Sequence, residues 1–80
     1  MARLRLFAAA REAAGTGTDD FDAATVQAVL TAAVNRYGDG FAAVLDTCKV
    51  WLNGDETDLA ADVGPTDEVA VLPPVSGGWS

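Results

Sequence analysis

Apolar and polar side chains alternate along Arg3-Leu4-Arg5-Leu6-Phe7-Ala8, the period of a strand with one wet face. Leu4, Leu6 and Ala8 are expected to face a core, leaving Arg3, Arg5 and Phe7 on the other side. An aromatic that shares a face with two arginines is either covered by neighbouring stems or displayed for docking. At Thr25 the period changes. Val26, Val29, Leu30, Ala33, Val34 and Tyr37 fall on one face of a helix running to Tyr37. Thr25 suits the N-cap, Arg36 complements the dipole in the last turn, and Gly38 stands where a helix commonly ends. Ala28, three residues after Thr25, rules out a full capping box.

The rest of the pattern is weaker. Ala8 to Ala14 is alanine-rich, enough for a turn or two of helix ended by Gly15-Thr16-Gly17-Thr18. Asp19 to Ala23 fits a short second strand with Phe21 inward. Phe41, Val44 and Leu45 suggest another helical turn packed on the core. Cys48 to Asn53 reads as a third strand, with Val50 and Leu52 on one face and Trp51 on the other, and Asn53-Gly54 is a hairpin-turn signal. Asp55 to Ala61 reads as polar connection anchored inward by Leu59, and Gly64 to Asp67 as the turn before the last strand.

That last strand, Val69 to Leu72, is a short apolar run with β-branched residues. Pro73-Pro74 stops it, since proline brings no N–H to a ladder and fixes its own φ. The next four residues, Val75-Ser76-Gly77-Gly78, are too small to build core and are expected to project as a flexible arm. Extended, Pro73 to Gly78 would reach roughly 20 Å, enough to enter a partner's active site. Paired glycines suit a narrow channel because no Cβ obstructs another backbone. The expected architecture is α+β: a mixed sheet of four to five strands, one main helix, a domain over residues 1–72 and an arm over 73–80. If the terminal strands pair in parallel at the centre, the helix covers one sheet face. Phe7, Ala70, Leu72 and Trp51 then share the bare one.

Composition narrows the partners. Eighty residues allow a single core, and half of them are apolar. Twelve acidic against five basic residues give a net charge of −7. Nucleic acid and anionic membranes would repel such a chain, and a partner with a basic docking face would attract it. No apolar run is long enough to span a membrane, and the start lacks an apolar signal core, so a cytoplasmic location is expected. A single cysteine, Cys48, makes no internal disulfide and agrees with a reducing compartment.

Candidate chemistry within the chain is sparse. With no histidine there is no Ser-His dyad and no usual metal-ligand set, so no metal site is expected. The acids are scattered through turns, where Asp serves local hydrogen bonding. Gly15-Thr16-Gly17 lacks the spacing of a phosphate loop. Ser76 and Ser80 have no activating base, and Cys48 reads as a small apolar residue entering a strand. The reactive group has to come from outside or be made from the C-terminus.

Leu6-Phe7-Ala8-Ala9-Ala10-Arg11-Glu12-Ala13-Ala14-Gly15 resembles the opening of the MoaD/ThiS sulfur-carrier family. Ala24-Thr25-Val26, Val50-x-Leu52-Asn53 and Asp67 through Gly78 continue the likeness over nearly the whole chain. The Arg-Glu-Ala-Ala-Gly opening and Pro-Pro-Val-Ser-Gly-Gly ending are most similar to the small subunit of molybdopterin synthase. The resemblance implies a ubiquitin-like β-grasp fold and a carrier that is no enzyme by itself and binds no cofactor. It implies that Gly78 is adenylated by a ubiquitin-activating-type enzyme using ATP and a sulfur donor, becoming a thiocarboxylate. Gly77, Ser76, Val75, Pro74 and Pro73 would form the arm that carries it, and Phe7, Leu72 and Trp51 the docking face. The expected acceptor is the large synthase subunit, in molybdenum cofactor biosynthesis. Carriers for cysteine, thiamine or a sulfur-containing secondary metabolite share the arm, and a protein modifier joined through Gly78, or a non-covalent binding module, is the alternative of another class. One departure stands out: the family's active form ends at the second glycine, whereas Trp79-Ser80 extends the chain here. Cleavage between Gly78 and Trp79 by a JAMM-type metalloprotease is the expected remedy.

Overall fold

The computed structural model describes residues 1–74. Five strands form one mixed sheet: β1 (Ala2–Leu6), β2 (Thr18–Phe21), β3 (Lys49–Leu52), β4 (Asp55–Glu56) and β5 (Glu68–Leu72), in the order β2-β1-β5-β3-β4. Three helices cover one side: α1 (Ala8–Ala14), α2 (Val26–Tyr37) and α3 (Asp39–Leu45). At the centre β1 and β5 pair in parallel, Leu4 opposite Val69 and Leu6 opposite Val71, and the other pairings are antiparallel. This is the β-grasp arrangement that the family resemblance implies.

Alternation explains the layers. Ala2, Leu4 and Leu6 of β1 and Val69 and Val71 of β5 are buried against the helices. From the other side come Val26, Val29, Leu30 and Ala33, the apolar stripe of α2, with Phe41 of α3 and Ala10 of α1. Thr25 caps α2 as its spacing predicts, its hydroxyl accepting the Ala28 N–H at 3.1 Å. Gly38, at φ 95° and ψ −172°, turns the chain from α2 into α3, a conformation open in practice to glycine alone. Phe41 then drops fully into the core and meets the Tyr37 ring edge-on at 5.1 Å.

Three local expectations need correction. Ala8 does not continue β1 inward: it is exposed with φ 50°, and this left-handed step redirects the chain into α1. Leu59 is no inward anchor; it is 47% exposed, and Val63 takes the buried place on that connection. The reason is the strap that the connection makes across the start of α2. There Ala61 and Leu59 carbonyls accept the Val26 and Gln27 N–H groups, and the Val63 N–H bonds the Ala24 carbonyl at 2.8 Å. A turn around Asp58, whose carboxylate accepts the Ala60 N–H at 2.9 Å, breaks the alternation before it reaches Leu59. Finally, Asp55-Glu56 is strand β4 rather than loop, folded back by Asn53 (φ 51°) and Gly54 (φ 88°).

Two polar braces lock the sheet ends. Asp67 accepts the Gly64 N–H at 2.7 Å and the Asn53 side-chain amide at 3.0 Å, while Asn53 accepts the Glu68 N–H at 2.9 Å. These bonds hold the Asp67 carboxyl below its ordinary value, the Gly64 N–H first among them. At the other edge the Tyr37 hydroxyl donates to Asp19 at 2.5 Å, and Arg36 reaches the same carboxylate oxygen at 2.8 Å. Arg36 also lies 4.4 Å over the Phe21 ring. Tyr37 is therefore structural.

Candidate functional site

The side of the sheet that no helix covers is built by register. Across β1, β5 and β3, Arg5, Ala70 and Trp51 stand in one row, because Arg5 and Trp51 each pair with Ala70. One step toward the end of β5, Leu72 pairs with Lys49. Phe7 comes after Leu6 as Leu72 comes after Val71, and its backbone remains extended. Phe7, Trp51 and Leu72, which the sequence places together on the bare sheet face, do lie on one face. Phe7 is 39% exposed, whereas Trp51 and Leu72 are half-buried and keep part of their surface open.

The charges around this patch are paired rather than of one sign. Arg3 meets Asp20 at 3.5 Å, Arg5 meets Glu68 at 3.9 Å, and Lys49 meets Glu56 at 3.4 Å. Arg5 also places its guanidinium 5.6 Å from the Phe7 ring centre, so Phe7 is partly covered and partly displayed. The negative excess of the chain therefore does not concentrate here. These pairs are exposed and worth little to stability, but they fix where hydrogen-bonding partners can approach. Lys49 was not singled out in the sequence. Its place comes only from the β3–β5 register, which the Asn53–Glu68 hydrogen bonds hold at the far end of the two strands.

The chain leaves β5 at the same place. Pro73 is half-buried at the end of β5 and Pro74 is exposed. Val75, Ser76, Gly77, Gly78 and Trp79, assigned to the arm and its processing, lie outside the described residues. Among the described residues no group of acidic, histidine or cysteine side chains could hold a metal ion. Cys48 is half-buried, with its thiol donating to the Val44 carbonyl at 3.1 Å, and burial pushes its pKa up. Such a thiol is a poor nucleophile. Among the described residues the geometry offers a partly apolar sheet face at the end of β5, with no metal-binding or reactive constellation beside it.

The sequence profile of the ThiS family matches residues 4–78. Among curated protein sequences none matches significantly. Among solved structures, small archaeal modifier protein 1 from Haloferax volcanii is 33% identical with a TM-score of 0.84, over 96% of this chain and 98% of that one. A chain of the BexX/CysO complex from Amycolatopsis orientalis is 20% identical with a TM-score of 0.82, covering 98% of this chain and 100% of the other. A chain of the complex between subunits 1 and 2 of molybdopterin-converting factor from Helicobacter pylori is 24% identical with a TM-score of 0.71, over 96% and 97%. The last two share the fold, and the fold is the ubiquitin-like β-grasp.

Proposed function

The chain belongs to the ThiS family of ubiquitin-like sulfur carriers, and on that premise we propose that it carries sulfur as a thiocarboxylate on Gly78. The observation that carries the reading is where the family match stops: at Gly78, with Trp79-Ser80 beyond it. In the proposed sequence a JAMM-type metalloprotease hydrolyses the Gly78–Trp79 peptide bond and frees the glycine carboxylate. An adenylating enzyme docks on the Phe7, Trp51 and Leu72 face. The Gly78 carboxylate attacks the α-phosphorus of ATP and expels pyrophosphate. Sulfide-level sulfur then attacks the acyl carbon and AMP leaves. Where a persulfide delivers it, the acyl disulfide first formed is cleaved by a second thiol, which leaves the thiocarboxylate on Gly78 and a disulfide on the donor. The adenylate is what makes a poor electrophile reactive, and this chain supplies only the docking surface and the tether.

The acceptor is proposed to be the large subunit of molybdopterin synthase, in keeping with the Pro73-Pro74-Val75-Ser76-Gly77-Gly78 ending. The likeness to subunits found in two-protein complexes supports a partner that receives the arm. A carrier for a sulfur-containing metabolite would use the same steps. The identity with an archaeal modifier protein favours a second reading, in which a lysine amine of another protein attacks the Gly78 adenylate and forms an isopeptide.

Intact mass of the chain purified from its native cell tests these readings. A product ending at Gly78 with one oxygen replaced by sulfur is expected. Chains found only as isopeptide conjugates would favour the modifier, and chains always ending at Ser80 without sulfur would overturn both.

A further inference from the structure

A second concave feature lies in the other layer, where α2 faces the β3–β4 edge. It is an open groove of about 600 Å³. One wall is a single stripe of α2, from Gln27 through Leu30, Thr31 and Val34 to Asn35, about 12 Å of helix. Leu45, Val50 and Leu59 stand across from it. Leu30 is buried and Val34, Leu45 and Val50 are half-buried, while Leu59 is the large apolar side chain most open to water here. A groove floored this way is not closed by the fold itself.

Its rim is acidic. Asp46, Glu56 and Asp58 line it against one cation, Lys49, which Glu56 already engages at 3.4 Å. Asp46 and Asp58 have no ion-pair partner among the described residues. The arginines lie elsewhere: Arg3 and Arg5 on the outer sheet face, Arg36 on Asp19, and Arg11 beside Gly17. Apolar area and unpaired negative charge therefore coincide at this groove.

We infer that the groove seats a segment of a partner protein in which a large apolar side chain is flanked by lysine or arginine. Charge complementarity selects that occupant. A second copy of this chain would bring its own net charge of −7, and residues 75–80 contain no basic side chain to meet Asp46 and Asp58. The groove opens beside Lys49, the residue paired with Leu72 at the arm's root, yet it belongs to the opposite layer from the Phe7–Trp51 face. A partner held there leaves the outer sheet face free, so both surfaces can be occupied together. The inference does not depend on the chemistry at Gly78.

The test is an amide chemical-shift titration of the full-length chain with a blocked peptide, Lys-Lys-Leu-Trp-Leu-Arg-Lys, and with a counterpart carrying glutamate at each basic position. The basic peptide is expected to shift Leu30, Thr31, Val34, Val50 and Leu59. Its affinity is expected to fall about tenfold in the double variant Asp46→Lys, Asp58→Asn, whose positions are exposed and whose asparagine removes the charge while keeping an acceptor for the Ala60 N–H. Leu59→Ser is expected to weaken it comparably, and added salt to weaken it further. Equal binding by the acidic peptide, shifts confined to Trp51 and Ala70, or no groove shift at about 1 mM peptide would overturn the inference. So would groove resonances that move when Trp79-Ser80 is deleted, which would assign the groove to the chain's own end. Groove shifts that track protein concentration without peptide would assign it to a second copy instead.

Discussion

Asp19 shows how much one surface-edge carboxylate can organise. It accepts the Tyr37 hydroxyl, pairs with Arg36 and accepts the Asp20 N–H, and these bonds, Tyr37's first, hold its pKa below the ordinary value. Burial and the same contact push the Tyr37 phenol well up. Replacing Tyr37 with Phe is expected to cost about 1–2 kcal/mol, read from urea midpoints at neutral pH. Asp19 and Asp67 are both held low, so the unfolded chain binds more protons in acid than the folded one. Stability should be flat between about pH 5 and 7 and fall as pH drops through their folded values. It should fall again in alkali, where the unfolded chain gives up the Cys48 and Tyr37 protons that the fold retains. In Tyr37→Phe the acid fall should be shallower, because part of the Asp19 depression is gone. Ala8 offers the opposite case: a left-handed residue with a Cβ, where Ala8→Gly is expected to raise stability by about 0.5–1 kcal/mol in the same urea titrations.

Among the elements, β1 and α2 were legible because each writes its burial in an unbroken period, and β5 because it is a short β-branched apolar run stopped by Pro73-Pro74. Alternation put Leu4 and Leu6 inside and Phe7 outside, and it implied that parallel pairing of the terminal strands would leave one sheet face bare. The places that escaped are those where the backbone changes hand or partner. Nothing in Phe7-Ala8-Ala9 announces a left-handed Ala8, since alanine disfavours it. Leu59 has the right chemistry for a core, but the strap along α2 buries Val63 and leaves Leu59 on the groove. A strand as short as Asp55–Glu56 has no period of its own to read. The α2–α3 corner depends on a glycine, so Gly38→Ala is expected to cost about 1–3 kcal/mol and lower the thermal midpoint in calorimetry.

Across the whole molecule, alternation and the assumed parallel pairing placed Phe7, Ala70, Leu72 and Trp51 on one face, whereas Lys49 and the row it joins were not legible. Phe7, Trp51 and Leu72 sit far apart in sequence, and register alone unites them with Lys49 and Arg5. The chemistry proposed for Gly78 rests on the Pro-Pro-Val-Ser-Gly-Gly ending, whose residues 75–78 lie outside the described residues. In the carrier reading, Phe7→Ser with Trp51→Ser should lower kcat/KM for adenylation of the Gly78-ended chain by at least about tenfold, measured by pyrophosphate exchange. Circular dichroism should stay unchanged, since neither side chain belongs to the buried core.

The parallel pairing of β1 with β5 has a consequence for quality control. The first strand of the domain is completed by its last, so no fragment lacking Glu68–Leu72 can close the core around Leu4 and Leu6. Such long-range pairing makes folding slower than local helix packing would allow. It also ties two events together: the act that finishes the core brings Ala70 and Leu72 alongside Phe7 and Trp51, and sets Pro73 at the sheet's end. A chain that has not folded offers its glycines without a platform. An activating enzyme that reads the platform first would therefore commit ATP only to molecules that have finished folding.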